Sequence, residues 1–315
     1  MKFRLPWLSP VSSKQGRIGL AVGPDGWTVV AVSADGDIEH CQLYVDIGDP
    51  QHFIETLVEQ QQWQGRPCTV VLHPLYYQML LVEAPSVPDD EMAAAVRWRV
   101  KEMLDFSVDD AAVDFFRLPD DAYRSRKKML YAIAMRKASL QSLIAPLEAG
   151  GLAVDNVDIA ELAAHKHAQR LPKGRGGTAV VHLLENEGFI NLIDDGNIYL
   201  SRNLDVGLAQ LQEPSGRAAT LEALLLEIQR SLDFYESQLG KGIIADLYLS
   251  PANDAIKSVE EYLAMQLGLN VQPLVIDTAF DGALPNNAVL ALGAATAGLN
   301  GLKKPSVEES ISAAD

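Results

Sequence analysis

Adjacent carboxylates and closely spaced histidines are the residues of this chain that could carry acid–base or metal chemistry. Asp120-Asp121 and Asp194-Asp195 are paired carboxylates, and such pairs can act as general acid and base when their pKa values differ. Both pairs lie in turn contexts, where Asp side chains hydrogen-bond to their own backbone instead. His165 and His167 stand two residues apart on a predicted helix and so do not share a face. The sequence therefore favours turns and an exposed helix surface over a catalytic or metal site.

No longer motif supplies a nucleophile, a phosphate loop or a metal site. The patterns typical of hydrolase nucleophile turns, P-loops, zinc proteases and dinucleotide-binding turns are absent from the 315 residues. Cys41 and Cys68 lie in or beside strand-like runs without metal-ligand spacing, which predicts buried, reduced thiols. The net charge of −16 disfavours nucleic acid as a partner, because phosphate binding needs clustered Lys and Arg. No apolar run reaches the roughly 18 residues that a membrane span needs.

A strand-rich unit that occurs twice must position whatever site the chain has. The first copy is RIGLAVGPDGWTVVAVSADGDIEHCQLY, residues 17–44, and the second is TAVVHLLENEGFINLIDDGNIYLSRNLD, residues 178–205. Each predicts a strand, a turn, a strand, a tight turn and a third strand. The Asp35-Gly36 turn of the first copy matches Asp195-Gly196 of the second. This duplication predicts two half-domains that face a central cleft.

The remaining pattern divides the chain into two lobes with an insertion. Helices are predicted over 49–64, 88–104, 137–149, 161–171, 217–239, 253–268 and 288–299. Further strands are predicted over 67–73, 79–85, 111–118, 128–136, 151–160, 245–250 and 270–276. The predicted organisation is a flexible N-terminus (1–15), a first lobe (16–84 and 151–175), an inserted α/β subdomain (85–150), a second lobe (176–299) and a disordered tail (300–315).

Four stretches carry a resemblance to a known family. They are IGLAVG (18–23), the run from VEAPSVPDDEM to DDAAVDF (82–115), INLIDDGNIYLSRNLDVG (190–207) and LLLEIQRSLDFYESQLGKGIIADLYLS (224–250). Through them, and from about residue 16 to 299, the chain resembles the PilM-type proteins of type IV pilus assembly, within the actin-like superfamily. The likeness is closest to members that serve the mannose-sensitive haemagglutinin (MSHA) pilus. It implies an α/β, actin-like fold, built by a ribonuclease H-like duplication, with two lobes and a PilM-type inserted subdomain.

The resemblance also implies a nucleotide cleft, and this chain departs from the family there. Members that bind ATP have Asp in the first phosphate turn, where this chain has Ala21, although Gly23 remains. Their second turn reads Asp-x-Gly, and here it is His182-Leu183-Leu184; their Gly-rich adenosine motif is replaced by Pro251-Ala252-Asn253. Magnesium prefers carboxylate oxygens, which alanine lacks, and imidazole is a poor substitute.

A degenerate cleft without ATP hydrolysis is the consequence of these departures. Phosphoryl transfer depends on the positioning of the phosphates and on the charge of a bound metal ion. The residues that would position the phosphates and bind the metal are replaced in this chain. We therefore expect no metal and no cofactor, with residual ATP binding left open. The cleft residues are Ala21, Gly23, His182, Leu184, Glu227, Arg230, Pro251, Ala252 and Lys257.

A peptide groove is the second site that the resemblance implies. In PilM-type proteins, the inserted piece and the first half form a groove for the cytoplasmic N-terminus of a PilN-like, bitopic inner-membrane protein. The alternative for the 88–104 helix is ordinary core packing with a solvated outer face. The predicted groove residues are Val82, Glu83, Val96, Arg97, Val100 and Leu104.

The expected function is that of a cytoplasmic scaffold, peripheral to the inner membrane, in a type IV pilus platform. Its expected partners are the PilN-like protein and other platform proteins, and it could also form oligomers. Two alternatives stay open. One is an actin-like ATPase with unusual phosphate loops. The other is the cytoplasmic half of a type II secretion platform, which normally continues into a transmembrane segment that this sequence does not show.

Overall fold

The structure, a computed structural model, describes residues 16–124, 127–171, 176–276, 278, 280, 282 and 284–296. The predicted flexible N-terminus (1–15), the predicted tail (300–315) and residues 172–175 of the predicted linker lie outside the described residues. Within the described ranges, none of the helices combines the length and apolarity needed to cross a bilayer.

The elements follow the predicted order closely. The strands are β1 (Arg17–Gly23), β2 (Gly26–Val32), β3 (Ile38–Tyr44), β4 (Pro67–Leu72), β5 (Gln78–Glu83), β6 (Ala111–Arg117), β7 (Met129–Arg136), β8 (Ala153–Ile159), β9 (Thr178–Leu183), β10 (Gly188–Asp194), β11 (Asn197–Leu204), β12 (Asp246–Ser250) and β13 (Asn270–Pro273). The helices are α1 (Pro50–Gln61), α2 (Met92–Arg99), α3 (Lys137–Ala149), α4 (Ala160–Ala168), α5 (Leu208–Gln212), α6 (Arg217–Phe234), α7 (Lys257–Leu267) and α8 (Ala288–Ala295).

Two five-stranded sheets share one topology. The first has the order β3-β2-β1-β4-β8 and the second β11-β10-β9-β12-β13. In both, three antiparallel strands joined by hairpins are followed by two strands that pair in parallel. β1 and β4 are buried almost throughout, as parallel strands covered on both faces should be. The predicted internal duplication is confirmed by this repeated strand order.

A third sheet, of order β5-β7-β6, stands apart from the two large ones. The sequence pattern assigned the 79–85 strand to the first lobe, but β5 pairs antiparallel with β7, with Leu81 opposite Tyr131. A short helical turn at Pro74–Tyr76 diverts the chain after β4, so that β5 leaves the first sheet. The third sheet therefore begins before the predicted boundary at residue 85.

The helix predicted over 88–104 is shorter in the structure. α2 covers Met92–Arg99, and a turn closed by the Glu91 N–H and the Pro88 carbonyl (3.1 Å) precedes it. After α2 the chain continues in turns, with the Met103 N–H donating to the Val100 carbonyl (2.9 Å).

Two helices each pack against the lobe to which they do not belong in the sequence, and they hold the two sheets together. α4 follows the last strand of the first sheet, yet Asn191 of β10 donates to the carbonyl of Glu161 in α4 (2.9 Å). α8 follows the second sheet, yet it packs on β1 and is buried along its whole length. Gly19 of β1 and Gly293 of α8 permit this packing, because a methyl group at either position would overlap a backbone carbonyl of Ala291 or Ala163.

The third sheet is joined to the second lobe by side chains. The hydroxyl of Tyr131 donates to the carbonyl of Ser201 (2.9 Å) and accepts from the Ser201 N–H (3.0 Å). Asp121, in the β6–β7 loop, accepts from Tyr199 (2.9 Å) and from Lys241 (2.5 Å). Burial and hydrogen bonding thus link the inserted region to β11 as well as to the first lobe.

We predict that Gly19→Ala destabilises the fold, because the added methyl group would force α8 away from β1. Overpacking of this kind costs about 1–3 kcal/mol or more, and thermal or urea unfolding will measure it. Gly216→Ala is the control, since no atom lies within 4 Å of the added carbon; because Gly216 is the N-cap of α6, we expect a loss of about 0.5–1 kcal/mol there. Equal stability of the two variants would contradict the close packing of α8.

Candidate functional site

The two hairpin turns that face the cleft contact each other. β1–β2 and β9–β10 are each joined by a two-residue turn, Pro24–Asp25 and Glu185–Asn186, with the pairs Gly23–Gly26 and Leu184–Glu187 closing them. The Asn186 amide donates to an Asp25 carboxylate oxygen across the cleft (3.4 Å). The turns that resemble phosphate loops therefore meet directly.

A second contact between the lobes joins His73, at the end of β4, to Glu187. His73 Nδ1 lies 3.2 Å from Glu187 Oε1. Burial lowers the pKa of His73 to about 4, although Asp25 opposes this shift. Burial raises the pKa of Glu187, as do the nearby carboxylates of Asp205 and Asp25. The environment thus disfavours charge on both members of the contact.

Carboxylates line the cleft around this contact. Burial raises the pKa of Glu227 on α6, and the charge of Asp205 raises it further, while Arg230 lowers it. Asp25, Glu187, Asp205 and Glu227 would repel a triphosphate unless a cation lay between. No group of three or more His, Cys, Asp or Glu side chains is placed to hold a metal ion anywhere in the described part of the chain.

Apolar packing occupies the interior of both turns. Ala21 lies in an apolar cluster with Val71 and Phe189 between the sheets. His182 is fully buried, its Nδ1 is 2.8 Å from the Ser250 hydroxyl, and burial lowers its pKa to about 3. These residues provide none of the oxygen ligands that magnesium prefers.

The remaining predicted cleft residues are dispersed. Leu184 is fully buried and its carbonyl accepts from the Leu208 N–H (2.8 Å), while Gly23 packs against the His73 ring. Glu227 is half-buried and Arg230 lies exposed one turn further along α6. Pro251 is buried, whereas Ala252 and Lys257 are exposed. This donor set does not fit a magnesium triphosphate.

Buried polar groups at the lobe junction are the feature that the sequence pattern missed. His165 and His167, predicted on an exposed helix surface, are only 8% and 5% exposed, so that prediction was wrong. The reason is that α4 lies between the sheets. His165 donates to the Gly196 carbonyl (3.0 Å) and His167 to the Val289 carbonyl (2.9 Å).

Glu161, in the first turn of α4, is the most constrained of these groups. It is fully buried, accepts a hydrogen bond from the Tyr77 hydroxyl, and has its pKa raised to about 7 by burial. The only sequence signal for it was one acidic residue among the alanines of ELAAHKHA.

A groove of about 480 Å³ opens between the first lobe and the third sheet. Leu75, 64% exposed, stands at its first-lobe side. The guanidinium of Arg136 lies 4.5 Å from the centre of the Phe106 ring within it. Apolar, aromatic and basic side chains thus line a concave surface between two parts of the chain. The lining residues are Leu75, Tyr76, Tyr77, Gln78, Asp105, Phe106, Ala134, Met135, Arg136, Ser139, Ser142 and Leu143.

The groove residues predicted from the sequence lie elsewhere. Val82, Val96 and Val100 form the core of the third sheet, so core packing, the alternative, describes them. The reason is that Met92, Val96 and Val100 recur every fourth residue and face the sheet. Leu104 packs at the edge of this core, and Arg97 donates to the Ala111 carbonyl (2.7 Å). Glu83 is at the surface, paired with Lys127 (3.0 Å).

Comparison with known proteins identifies the fold. A family model described as type IV pilus assembly protein PilM matches residues 73–217. No curated protein matches the sequence. The solved structure titled "PilM-PilN type IV pilus biogenesis complex" is similar with a TM-score of 0.72 at 17% identity, over 91% of this chain and 99% of that one.

Two further structures are similar at lower levels. A protein from Bacteroides thetaiotaomicron, described as having an actin-like ATPase fold and unknown function, gives a TM-score of 0.53 at 9% identity, over 90% of this chain and 99% of that one. The cytoplasmic domain of EpsL from the Vibrio cholerae type II secretion system gives 0.49 at 12% identity, over 79% and 94%. The predicted actin-like α/β fold is confirmed.

We predict that Glu161 makes the fold less stable as the pH rises. Its pKa is about 7 in the folded chain against 4.5 ordinarily. The stability that the neutral carboxyl contributes is therefore fully present below pH 4.5 and is lost as the pH rises through 7. The loss amounts to roughly 3 kcal/mol by pH 8. Glu161→Gln removes this dependence, because an amide oxygen can still accept from Tyr77.

Urea unfolding of both proteins at pH 5 and pH 8 tests the prediction. The difference between wild type and Glu161→Gln isolates this group from the buried histidines, whose lowered pKa values act in the opposite direction. A difference that does not change with pH would contradict the assignment.

Proposed function

We propose that this chain is a PilM-like component of a type IV pilus assembly platform and that its groove binds the cytoplasmic N-terminal segment of a PilN-like inner-membrane protein. One observation carries the proposal. The PilM family model covers residues 73–217; three concavities fall within this range, two of them beside Glu83, and this groove is the one that lies between the first lobe and the third sheet, as the resemblance implies. The similarity to a PilM–PilN structure supports the same assignment.

The chemistry of the groove suits a short, extended and partly apolar peptide. Leu75, Phe106 and Leu143 offer apolar contacts, and Arg136 offers a cation at the start of α3. β5 is an edge strand of the third sheet and begins at Gln78, inside the groove. An extended segment could therefore add main-chain hydrogen bonds at this edge, with the pockets setting its register.

The chain acts, in this proposal, as a scaffold rather than an ATPase. The meeting of the two turns and the buried Ala21 and His182 both disfavour binding of a magnesium triphosphate. The protein would lie at the cytoplasmic side of the inner membrane, held there by its partner and by other platform proteins.

The pilus concerned is proposed to be of the MSHA type, with this chain in the role of its MshI component, on the sequence resemblance alone. Genes for a short bitopic protein and further pilus components next to this gene would support that assignment. Their absence would remove it without affecting the proposed peptide binding.

We predict that a peptide copying the partner's N-terminus binds the purified chain. Leu75→Asp should weaken the peptide affinity at least about tenfold, as expected of a side chain that becomes buried in the complex. Fluorescence anisotropy with a labelled peptide measures the affinity. Met265→Asp is the matched control, because Met265 is 74% exposed on α7, in the other lobe. If none of the candidate peptides binds, the proposal is wrong. If both variants lose the same peptide affinity, the binding site does not lie in the groove.

We predict that ATP with magnesium does not raise the melting temperature. A ligand at a hundred times its Kd would stabilise the fold by about 2.7 kcal/mol, a shift of several degrees. The bound peptide provides the positive control in the same assay. ATP turnover that Glu227→Gln or Arg230→Gln abolishes would establish the ATPase alternative instead.

A further inference from the structure

The first fifteen residues differ from the rest of the chain in their charge. This segment, MKFRLPWLSPVSSKQ, contains three Lys and Arg and neither Asp nor Glu, although the whole chain has a net charge of −16. It lies outside the described residues and joins the described chain at Gly16, directly before β1. A basic segment is thus attached to an acidic protein. Its large apolar residues are Phe3, Leu5, Trp7 and Leu8.

Three of these apolar residues recur with the period of an extended strand. Phe3, Leu5 and Trp7 occupy every second position, so an extended backbone directs all three to one side. Lys2 and Arg4 then point to the other side. Two prolines within the segment disfavour a helix. The pattern is that of a short extended peptide with one apolar side.

The groove between the first lobe and the third sheet offers what such a peptide needs. Its lining includes the exposed Leu75 and the ring of Phe106. β5 begins in the groove at Gln78, and it is an edge strand of its sheet. Apolar side chains at alternate positions of an added strand can enter the groove while its main chain pairs with this edge.

Acidic groups surround the groove. Asp105 is exposed and belongs to the lining, within a stretch, residues 88–110, that carries seven Asp and Glu against three Lys and Arg. Burial raises the pKa of Tyr76, and the charge of Asp25 raises it further, which places Asp25 near the first-lobe side. The one cation of the described lining, Arg136, lies 4.5 Å from the centre of an aromatic ring. The surroundings therefore favour a basic peptide.

The segment is long enough to reach the groove of its own chain. β1 and β4 pair in parallel with Ile18 opposite Cys68, so Gly16 lies at the end of β4 that is far from Leu75. At about 3.3 Å per residue this distance is at most about 30 Å along the strands, with about 5 Å sideways. The eleven residues from Leu5 to Gly16 extend to about 36 Å. Leu5 can therefore lie beside Leu75.

We propose that residues 2–8 dock in the groove of their own chain and compete there with the partner's peptide. The three alternating apolar residues pack on the groove lining, and Lys2 and Arg4 meet the exposed acidic groups around it. The competition rests on the proposed function, whereas the docking itself does not.

Attachment to the same chain makes weak docking sufficient. A tether of this length holds the segment near the groove at an effective concentration on the order of 1 mM. A segment whose free form binds with a Kd of about 100 µM would then fill roughly nine grooves in ten. The apparent affinity of any competing peptide would fall about tenfold.

The docking is tested first with the segment itself. The receptor is the full chain with Phe3→Ser, Leu5→Ser and Trp7→Ser, which frees its own groove, and the probe is a labelled peptide of residues 1–15. Fluorescence anisotropy should show that this peptide binds the receptor at least about fivefold more tightly than it binds the wild-type chain. Absence of binding, or equal binding to both proteins, overturns the proposal.

Matched controls separate the groove from general charge attraction. Leu75→Asp in the same receptor should weaken the 1–15 peptide at least about fivefold, whereas Met265→Asp, in the other lobe, should leave its affinity unchanged. A peptide of the same composition in scrambled order keeps the charge but loses the alternation, and it should bind at least about fivefold more weakly. Equal binding of the scrambled peptide, or equal losses in the two variants, contradicts docking in the groove.

The competition is tested with the partner's peptide. This peptide should bind the triple serine variant at least about fivefold more tightly than the wild-type chain, and Val11→Ser, outside residues 2–8, should leave the wild-type affinity unchanged. Sedimentation velocity should give one mass for wild type and triple variant. A larger assembly of the wild type alone would show that the segment docks on a second copy, which overturns docking within the chain.

The two proposals can fail separately. If the 1–15 peptide binds as expected but no partner peptide does, the proposed function is wrong and the docking stands. If the partner peptide binds both proteins equally and the 1–15 peptide does not bind, the docking is wrong and the proposed function stands.

Discussion

The close approach of α8 to β1 is the constraint on which the rest of the structure depends. Gly19 and Gly293 bring the helix backbone against the strand and against α4 at distances that no side chain would permit. Because α4 and α8 each come from one lobe and pack on the other, the two sheets cannot separate without exposing a fully buried helix. The register of the sheets then fixes where the hairpin turns of the cleft meet.

Several residues of the cleft take part in packing between the two sheets. At the positions where the sequence resemblance implies phosphate ligands, this chain has the buried residues Ala21, His182 and Leu184, and burial lowers the pKa of His182. The ionisable groups that remain, such as Glu161 and His73, have pKa values shifted toward their neutral forms. Such shifts arise at functional sites but also in tightly packed interfaces, and the geometry here is that of an interface.

The fold was largely predictable from the sequence, because it rests on local patterns. The alternation in TVVAVS and the Asp-Gly turns predicted the hairpins, and the Leu stripe of α6 predicted its helix. Pairing between distant segments was harder. Whether β5 joins β4 or β7 depends on the turn at Pro74–Tyr76, which leaves no periodic signal. The burial of His165 and His167 depends on α4 crossing to the other lobe, which the polar residues of that helix concealed. The groove is lined by residues from four separate segments of the chain. The sequence therefore predicted a groove between the first lobe and the inserted region, but not the residues that line it.

The hydrogen bonds of Tyr131 to both backbone groups of Ser201 have a mechanical consequence. Together with Asp121 and its two partners, they join the third sheet to the second lobe, while β5 and α3 adjoin the first. A force applied to a peptide in the groove would therefore spread into both lobes at once. Among the described residues, these bonds would pass part of any such load from the third sheet to the second lobe.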